Sequence, residues 1–122
     1  MPASSTQALA DRAYAQANDL PLHVDPATAP LPGECIIDVR EPGAFAIGHI
    51  PDAINIPHGI LAFRLDSDPA LARHDQPILL YCTSGGHSTV AALSLQQLGY
   101  RAVRALPGGF LGWIAAGGPV DC

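Results

Sequence analysis

Pro77-Ile78-Leu79-Leu80-Tyr81-Cys82-Thr83-Ser84-Gly85-Gly86-His87-Ser88 is the stretch that decides the fold. Its first five residues form a short apolar run, which reads as a strand buried on both faces. Ser88 to Leu98 follows as a helix. Val90, Leu93, Leu95 and Leu98 lie on or near its apolar face, and Gly99 stands where helices take a left-handed C′ residue. Between strand and helix sit Cys82 and a glycine-rich loop.

The same alternation runs outward in both directions. Upstream, Cys35-Ile36-Ile37-Asp38-Val39-Arg40 reads as a buried strand. Glu41-Pro42 then opens a short helix that ends near Gly48, because proline is tolerated in a first turn. Ala53-Ile54-Asn55-Ile56 is a second short strand, stopped by Pro57, and Gly59 to Leu65 forms a helical turn. Asp68-Pro69 is a cap followed by proline, and predicts a helix over Ala70 to Arg73. Downstream, Ala102 to Leu106 is a strand, and Pro107-Gly108-Gly109 turns into a last helix around Phe110 to Ala116. Gly117-Gly118-Pro119 ends that helix. Ser5 to Asn18 predicts a helix capped by Ser5 or Thr6, and the proline- and aspartate-rich Leu20 to Leu31 predicts a loop. The expectation is an α/β fold, a small open parallel β-sheet flanked by helices on both faces. Residues 1–31 are expected to be an N-terminal helix and extended lead-in, part of the same domain whose main body is residues 32–122.

Composition narrows the function classes. The chain has 122 residues, 48% hydrophobic and 14% charged, enough for one domain with a real core. Net charge is −5, lysine is absent, and the six arginines are scattered, which argues against a nucleic-acid surface or an anionic-membrane anchor. No apolar run approaches a membrane span, and Asp11 and Arg12 interrupt the N-terminal apolar stretch, so a cytoplasmic location is expected. Cys35, Cys82 and Cys122 have unrelated spacings that suggest reduced thiols, and no metal-ligand spacing occurs.

Open parallel sheets place their sites at the carboxyl ends of strands. Cys82 sits at such an end and immediately before a helix, whose first-turn amides and dipole stabilise a thiolate. Gly85 and Gly86 let the backbone curl so that successive N–H groups can cradle an anion. An average cysteine is a small buried hydrophobe. Here strand, cysteine, glycine-rich loop and helix coincide, which favours chemistry. Sulfur transfer, phosphate-ester hydrolysis and redox chemistry all remain open on these grounds.

Four motifs in order narrow the choice. They are Asp38-Val39-Arg40-Glu41-Pro42, Gly48-His49-Ile50-Pro51-Asp52-Ala53-Ile54-Asn55-Ile56-Pro57, Tyr81-Cys82-Thr83-Ser84-Gly85-Gly86-His87-Ser88, and Leu106-Pro107-Gly108-Gly109-Phe110 with Trp113 and Gly117-Gly118-Pro119-Val120. Together they resemble the rhodanese (sulfurtransferase) family over roughly Glu34 to Val120. Pro57 to Phe63 is similar to a segment of a bacterial subset.

The resemblance implies that Cys82 attacks the outer sulfur of a donor such as thiosulfate and becomes a persulfide. Loop amides from Thr83, Ser84, Gly85, Gly86, His87 and Ser88 would hold it, and a nucleophilic acceptor, cyanide in an assay or a thiol in a cell, would remove the sulfur. The partners implied are a small-molecule or protein sulfur donor and a thiol acceptor, with no metal or organic cofactor. Asp38 and Arg40 are expected to brace the site, Arg40 through an internal ion pair with Asp38 or Glu41 more than by positioning loop or donor. His49 is expected to be a hydrogen-bonded structural histidine, and His58 and Arg64 to line the mouth. Ser88 either caps the helix or bonds the sulfur. Trp113 and Phe110 are expected in the core, Cys35 to be inert, and Cys122 to be terminal and exposed.

Three departures from the family pattern stand out. The loop has no arginine or lysine, so affinity for anionic thiosulfate is expected to be weak. Ala44 replaces a usual glutamate, and Asp52 replaces the common glycine of Gly-His-Ile-Pro-Gly. Cysteine phosphatases of related architecture use Cys-x5-Arg, but the residue six after Cys82 is Ser88. A cysteine-containing regulatory or binding module is the remaining alternative.

Overall fold

The run 77–81 does form the centre of the sheet. In the computed structural model, which describes residues 30–122, strand β3 (Ile78–Tyr81) is buried along its whole length. Strand β1 (Cys35–Asp38) pairs with it in parallel, with Cys35 opposite Ile78 and Asp38 opposite Tyr81. Strand β2 (Ile54–Asn55) lies outside β1, and β4 (Val103–Ala105) outside β3, both in parallel. The sheet order is therefore β2-β1-β3-β4. The chain leaves β1 toward one edge and fills the other edge from β3, so β1 and β3 flank the point where strand order reverses.

Strand alternation divides the core between the two faces of this sheet. Ile37, Ile78, Leu80, Val103 and Ala105 face one way, toward Leu61 and Leu65 of helix α2 (Leu61–Ser67) and Ala92 and Leu95 of helix α3 (Gly86–Gln97). Ile36, Leu79 and Tyr81 face the other way, toward Phe110 and Trp113 of helix α4 (Gly109–Ala115). Helix α1 (Pro42–Ile47) buries none of its residues and serves as a connection. A 3₁₀ turn (His58–Ile60) leads into α2. Helices thus cover both faces, as the apolar runs require. The helix expected at Ser5–Asn18 and most of the lead-in lie outside the described residues.

Several boundaries differ from the sequence reading, each for a local reason. The Asp68-Pro69 cap forms, with Asp68 Oδ1 accepting from the Ala70 amide at 3.0 Å, but it closes only one turn and no helix over Ala70–Arg73 follows. The chain must reverse there, through Gln76 N–H to Arg73 carbonyl at 3.1 Å, to enter β3. Helix α3 begins at Gly86, two residues before Ser88, because Gly85 alone supplies the left-handed start with φ 105°. Leu98 is 55% exposed although it was expected near the apolar face, since it already lies at the helix C-cap. Gly99 closes that end as expected: its amide bonds Gln96 carbonyl and the Tyr100 amide bonds Leu95 carbonyl, a Schellman pair.

Candidate functional site

Cys82 follows the last residue of β3, where the strand can no longer hold its neighbour's ladder. Its side chain is buried, 4% exposed, and forms the floor of a cleft of about 790 Å³. The sequence reading anticipated a nest of amides. The structure places one of them, Gly85 N–H, 3.0 Å from Sγ. The amides of Gly86, His87 and Ser88, the first turn of α3, have no partner within their own helix. Gly86 is already helical and makes no left-handed bend, so the curl of the loop belongs to Gly85 alone.

Of the two roles foreseen for Ser88, the bond to sulfur is present and the cap is not, since the N-cap of α3 is Gly85, with no side-chain cap bond. Its hydroxyl donates to Gly85 carbonyl at 3.2 Å, and the Cys82 thiol donates to that same hydroxyl oxygen at 3.5 Å. Gly85 carbonyl also accepts from Thr89 Oγ1 at 2.6 Å and from the Thr89 amide at 3.1 Å. Thr89 is a site residue that the sequence reading did not single out. Thr83, Ser84 and His87 line the cleft with exposed side chains.

The loop is held from behind by α4, a contact the sequence did not reveal. Phe110 N–H donates to Cys82 carbonyl at 2.8 Å, and Leu111 N–H donates to Thr83 carbonyl at 3.1 Å. These are first-turn amides of α4, otherwise orphaned. The approach is possible because Gly109, at φ 58°, has no side chain: a Cβ there would overlap Cys82 carbonyl oxygen and lie 2.7 Å from Thr83 oxygen. The adjacent glycines at 108 and 109 were the available signal, but only the fold shows what they approach.

Of the two partners expected for Arg40, Asp38 and Glu41, the ion pair is with Asp38. Arg40 Nη2 donates to Asp38 Oδ2 at 2.6 Å, and its Nε reaches both carboxylate oxygens at 3.0 Å. The same Nη2 donates to Gly48 carbonyl, and the guanidinium lies 4.4 Å above the Phe110 ring. Burial works against the Arg40 charge, but the Asp38 hydrogen bond and charge outweigh it and leave its pKa above the ordinary value. Asn55 Nδ2 ties the same strand end by donating to the Asp38 and Arg40 carbonyls. Beside them, Tyr81 hydroxyl accepts from the Ile50 amide at 3.0 Å, and burial with Asp38 nearby pushes its phenol far above the usual range, so it stays neutral.

Of the remaining candidates, His49 is structural: its Nδ1 lies 2.8 Å from Phe45 carbonyl and its ring stacks on Phe45. His58 lines the cleft, whereas Arg64 is not among its lining residues. Phe110 and Trp113 are core residues, and Trp113 Nε1 donates to Pro119 carbonyl at 2.7 Å. Burial pushes the Cys35 thiol up, which suits the inert role expected of it. Cys122 is exposed. Among the described residues no group of three or more histidines, cysteines or carboxylates could hold a metal, and no helix is long and apolar enough to cross a membrane.

The family model described as rhodanese-like domain matches residues 17–116. A sulfurtransferase of Allochromatium vinosum is 35% identical over 85 residues, covering 70% of this chain and 76% of the relative. Among solved structures, a Rhodopseudomonas palustris protein of unknown function, described as a possible tyrosine phosphatase, aligns over 99% of both chains with TM-score 0.78 and 27% identity. The human single-domain sulfurtransferase aligns with TM-score 0.62 and 26% identity, over 68% of this chain and 82% of its own.

Proposed function

This chain belongs to the rhodanese-like family, and we propose that it is a sulfurtransferase carrying sulfane sulfur from thiosulfate or another persulfide donor to a thiophilic acceptor as a persulfide on Cys82. The observation that carries the reading is the seat of Cys82 Sγ: at the end of β3, on the floor of an open cleft, with a backbone N–H 3.0 Å away and a helix N-terminus beside it. That seat suits an anionic sulfur, first the thiolate and then the terminal persulfide.

The cycle is a double displacement. Cys82 thiolate attacks the outer sulfur of thiosulfate. A Cys82–S bond forms, the sulfur–sulfur bond of the donor breaks, and sulfite leaves with its electron pair. The acceptor, cyanide or a thiolate, then attacks the outer persulfide sulfur and returns Cys82 as thiolate. Ser88 supports both anions. Its hydroxyl can turn from Gly85 carbonyl to sulfur, because Thr89 still satisfies that carbonyl through Oγ1 and the amide. Displacement at sulfur needs neither a metal nor an organic cofactor.

The cleft favours sulfur over phosphate chemistry. Among the described residues Arg40 is its one lining guanidinium, and Asp38 and Gly48 carbonyl engage its Nε and Nη2. With Nε and Nη2 both engaged, this guanidinium does not offer the free two-nitrogen fork with which the arginine of Cys-x5-Arg clamps a phosphate. For the same reason thiosulfate binds weakly near neutral pH, and a protein or low-molecular-weight persulfide is the natural donor in a cytoplasmic setting. Thiocyanate release from thiosulfate and cyanide tests the reading. Wild-type protein turns over and Cys82→Ser does not, since a serine hydroxyl is not ionised at neutral pH. Transfer retained by Cys82→Ser overturns the assignment. Absence of transfer with every donor leaves a binding module.

A further inference from the structure

Two imidazoles stack on each other in the lining of the Cys82 cleft. His58, on the 3₁₀ turn, stacks on His87, in the first turn of α3, with ring centroids 4.5 Å apart and planes 26° from parallel. Both line the cleft and both are exposed to solvent. The other charged groups of the lining are Arg40, whose charge Asp38 balances, and Glu41, an exposed carboxylate. Helix α2, which continues from the 3₁₀ turn, carries Arg64 and Asp66, neither of them in the lining. Helix α3 has His87 as its only ionisable side chain. With both rings neutral, the mouth offers an anion no free cation and one repelling carboxylate among the described residues.

A single proton changes that balance. It converts the stack to imidazolium on imidazole, a positive charge in the lining that Cys82 shares. Histidine is the side chain that changes charge between about pH 5 and 8. We propose that His58 and His87 act as one anion-recruiting unit, which sets the cleft's selectivity for small anionic sulfur donors over uncharged reagents. This rests on Cys82 being the nucleophile of the cleft, and it makes His58 a specificity-determining residue.

The test compares alkylation of Cys82 by anionic iodoacetate and neutral iodoacetamide. Each reagent consumes the same thiolate, forms one carbon–sulfur bond and releases iodide, so the ratio of their rates cancels thiolate reactivity and reads charge recognition alone. The ratio, followed on the Cys82 peptide by mass spectrometry between about pH 5.5 and 8.5, rises toward acid by about tenfold in the wild type. His58→Gln flattens the rise, and His58→Arg, a fixed cation, holds the ratio high throughout. A pH-flat ratio in the wild type, or an unchanged rise in His58→Gln, overturns the proposal. Sulfur transfer that occurs with a flat ratio sinks this inference alone. A ratio that behaves as stated in a protein that takes up no sulfur sinks the sulfurtransferase reading alone.

Discussion

Arg40 touches four parts of the molecule at once: Asp38 on β1, Gly48 after α1, and the Tyr81 and Phe110 rings from β3 and α4. Its partner carboxylate is completely buried. Removing the guanidinium alone therefore strands a charge in the core. Arg40→Met should cost about 3–5 kcal/mol in denaturant unfolding, and Asp38→Asn added to it should recover much of that loss. A single-mutant cost near that of an exposed ion pair would mean that water reaches Asp38. Asp52 carries strain of a different kind. Pro51 and Asp52 are the central residues of a turn closed by Ala53 N–H to Ile50 carbonyl at 3.1 Å, and Asp52 sits at φ 69°. Proline at the second position and positive φ at the third define a type II turn, which favours glycine there. The family glycine thus has a backbone reason, and Asp52→Gly should raise stability by about 0.5–1 kcal/mol in thermal or denaturant unfolding.

Helix α4 does two jobs, packing Phe110 and Trp113 on the sheet and clamping the carbonyls of Cys82 and Thr83 with its first amides. Two glycines of this helix separate those jobs. Gly109→Ala forces a Cβ into the Cys82 carbonyl at a positive φ, and should lower stability by at least about 2 kcal/mol while slowing sulfur transfer. Gly112→Ala meets only Pro107 carbonyl at 3.4 Å and replaces a poor helix former, so it should be neutral or stabilising by up to about 1 kcal/mol. Equal effects of the two would mean that the clamp does not hold the loop. The site was legible in the sequence where its parts are local. Cys82, Gly85 and Ser88 lie within one loop and helix start, and their roles follow from that junction. The clamp was not legible, because it joins residues 82 and 110 through a contact that only the packed sheet brings about. The His58–His87 stack was hidden for the same reason: its two rings come from separate elements on one side of the cleft.

At the scale of the molecule, the site exists because of strand order. Asp38 and Cys82 end or follow the two central strands, at the reversal between β1 and β3, where an open parallel sheet leaves a crevice. That much could be read from alternating strand and helix signals. The strand ends could not: Val39 and Ile56 are buried, and their amides still bond the Tyr81 and Asp38 carbonyls, yet both lie outside their strands. The two core faces share one sheet and should unfold together. Leu80→Ala empties space on the face opposite Trp113, at an expected cost of about 2–5 kcal/mol. Fluorescence of the sole tryptophan should report the same lowered midpoint as far-UV circular dichroism, whereas separate transitions would mean two independent units. The central claim concerns one sulfur atom on one side chain. Intact-protein and peptide mass spectrometry after incubation with thiosulfate, and with a persulfide donor, tests it without reductant present. The account predicts one added sulfur on the Cys82 peptide, removed by cyanide as thiocyanate. Sulfur on Cys35 or Cys122 instead, or on no cysteine with either donor, would contradict it.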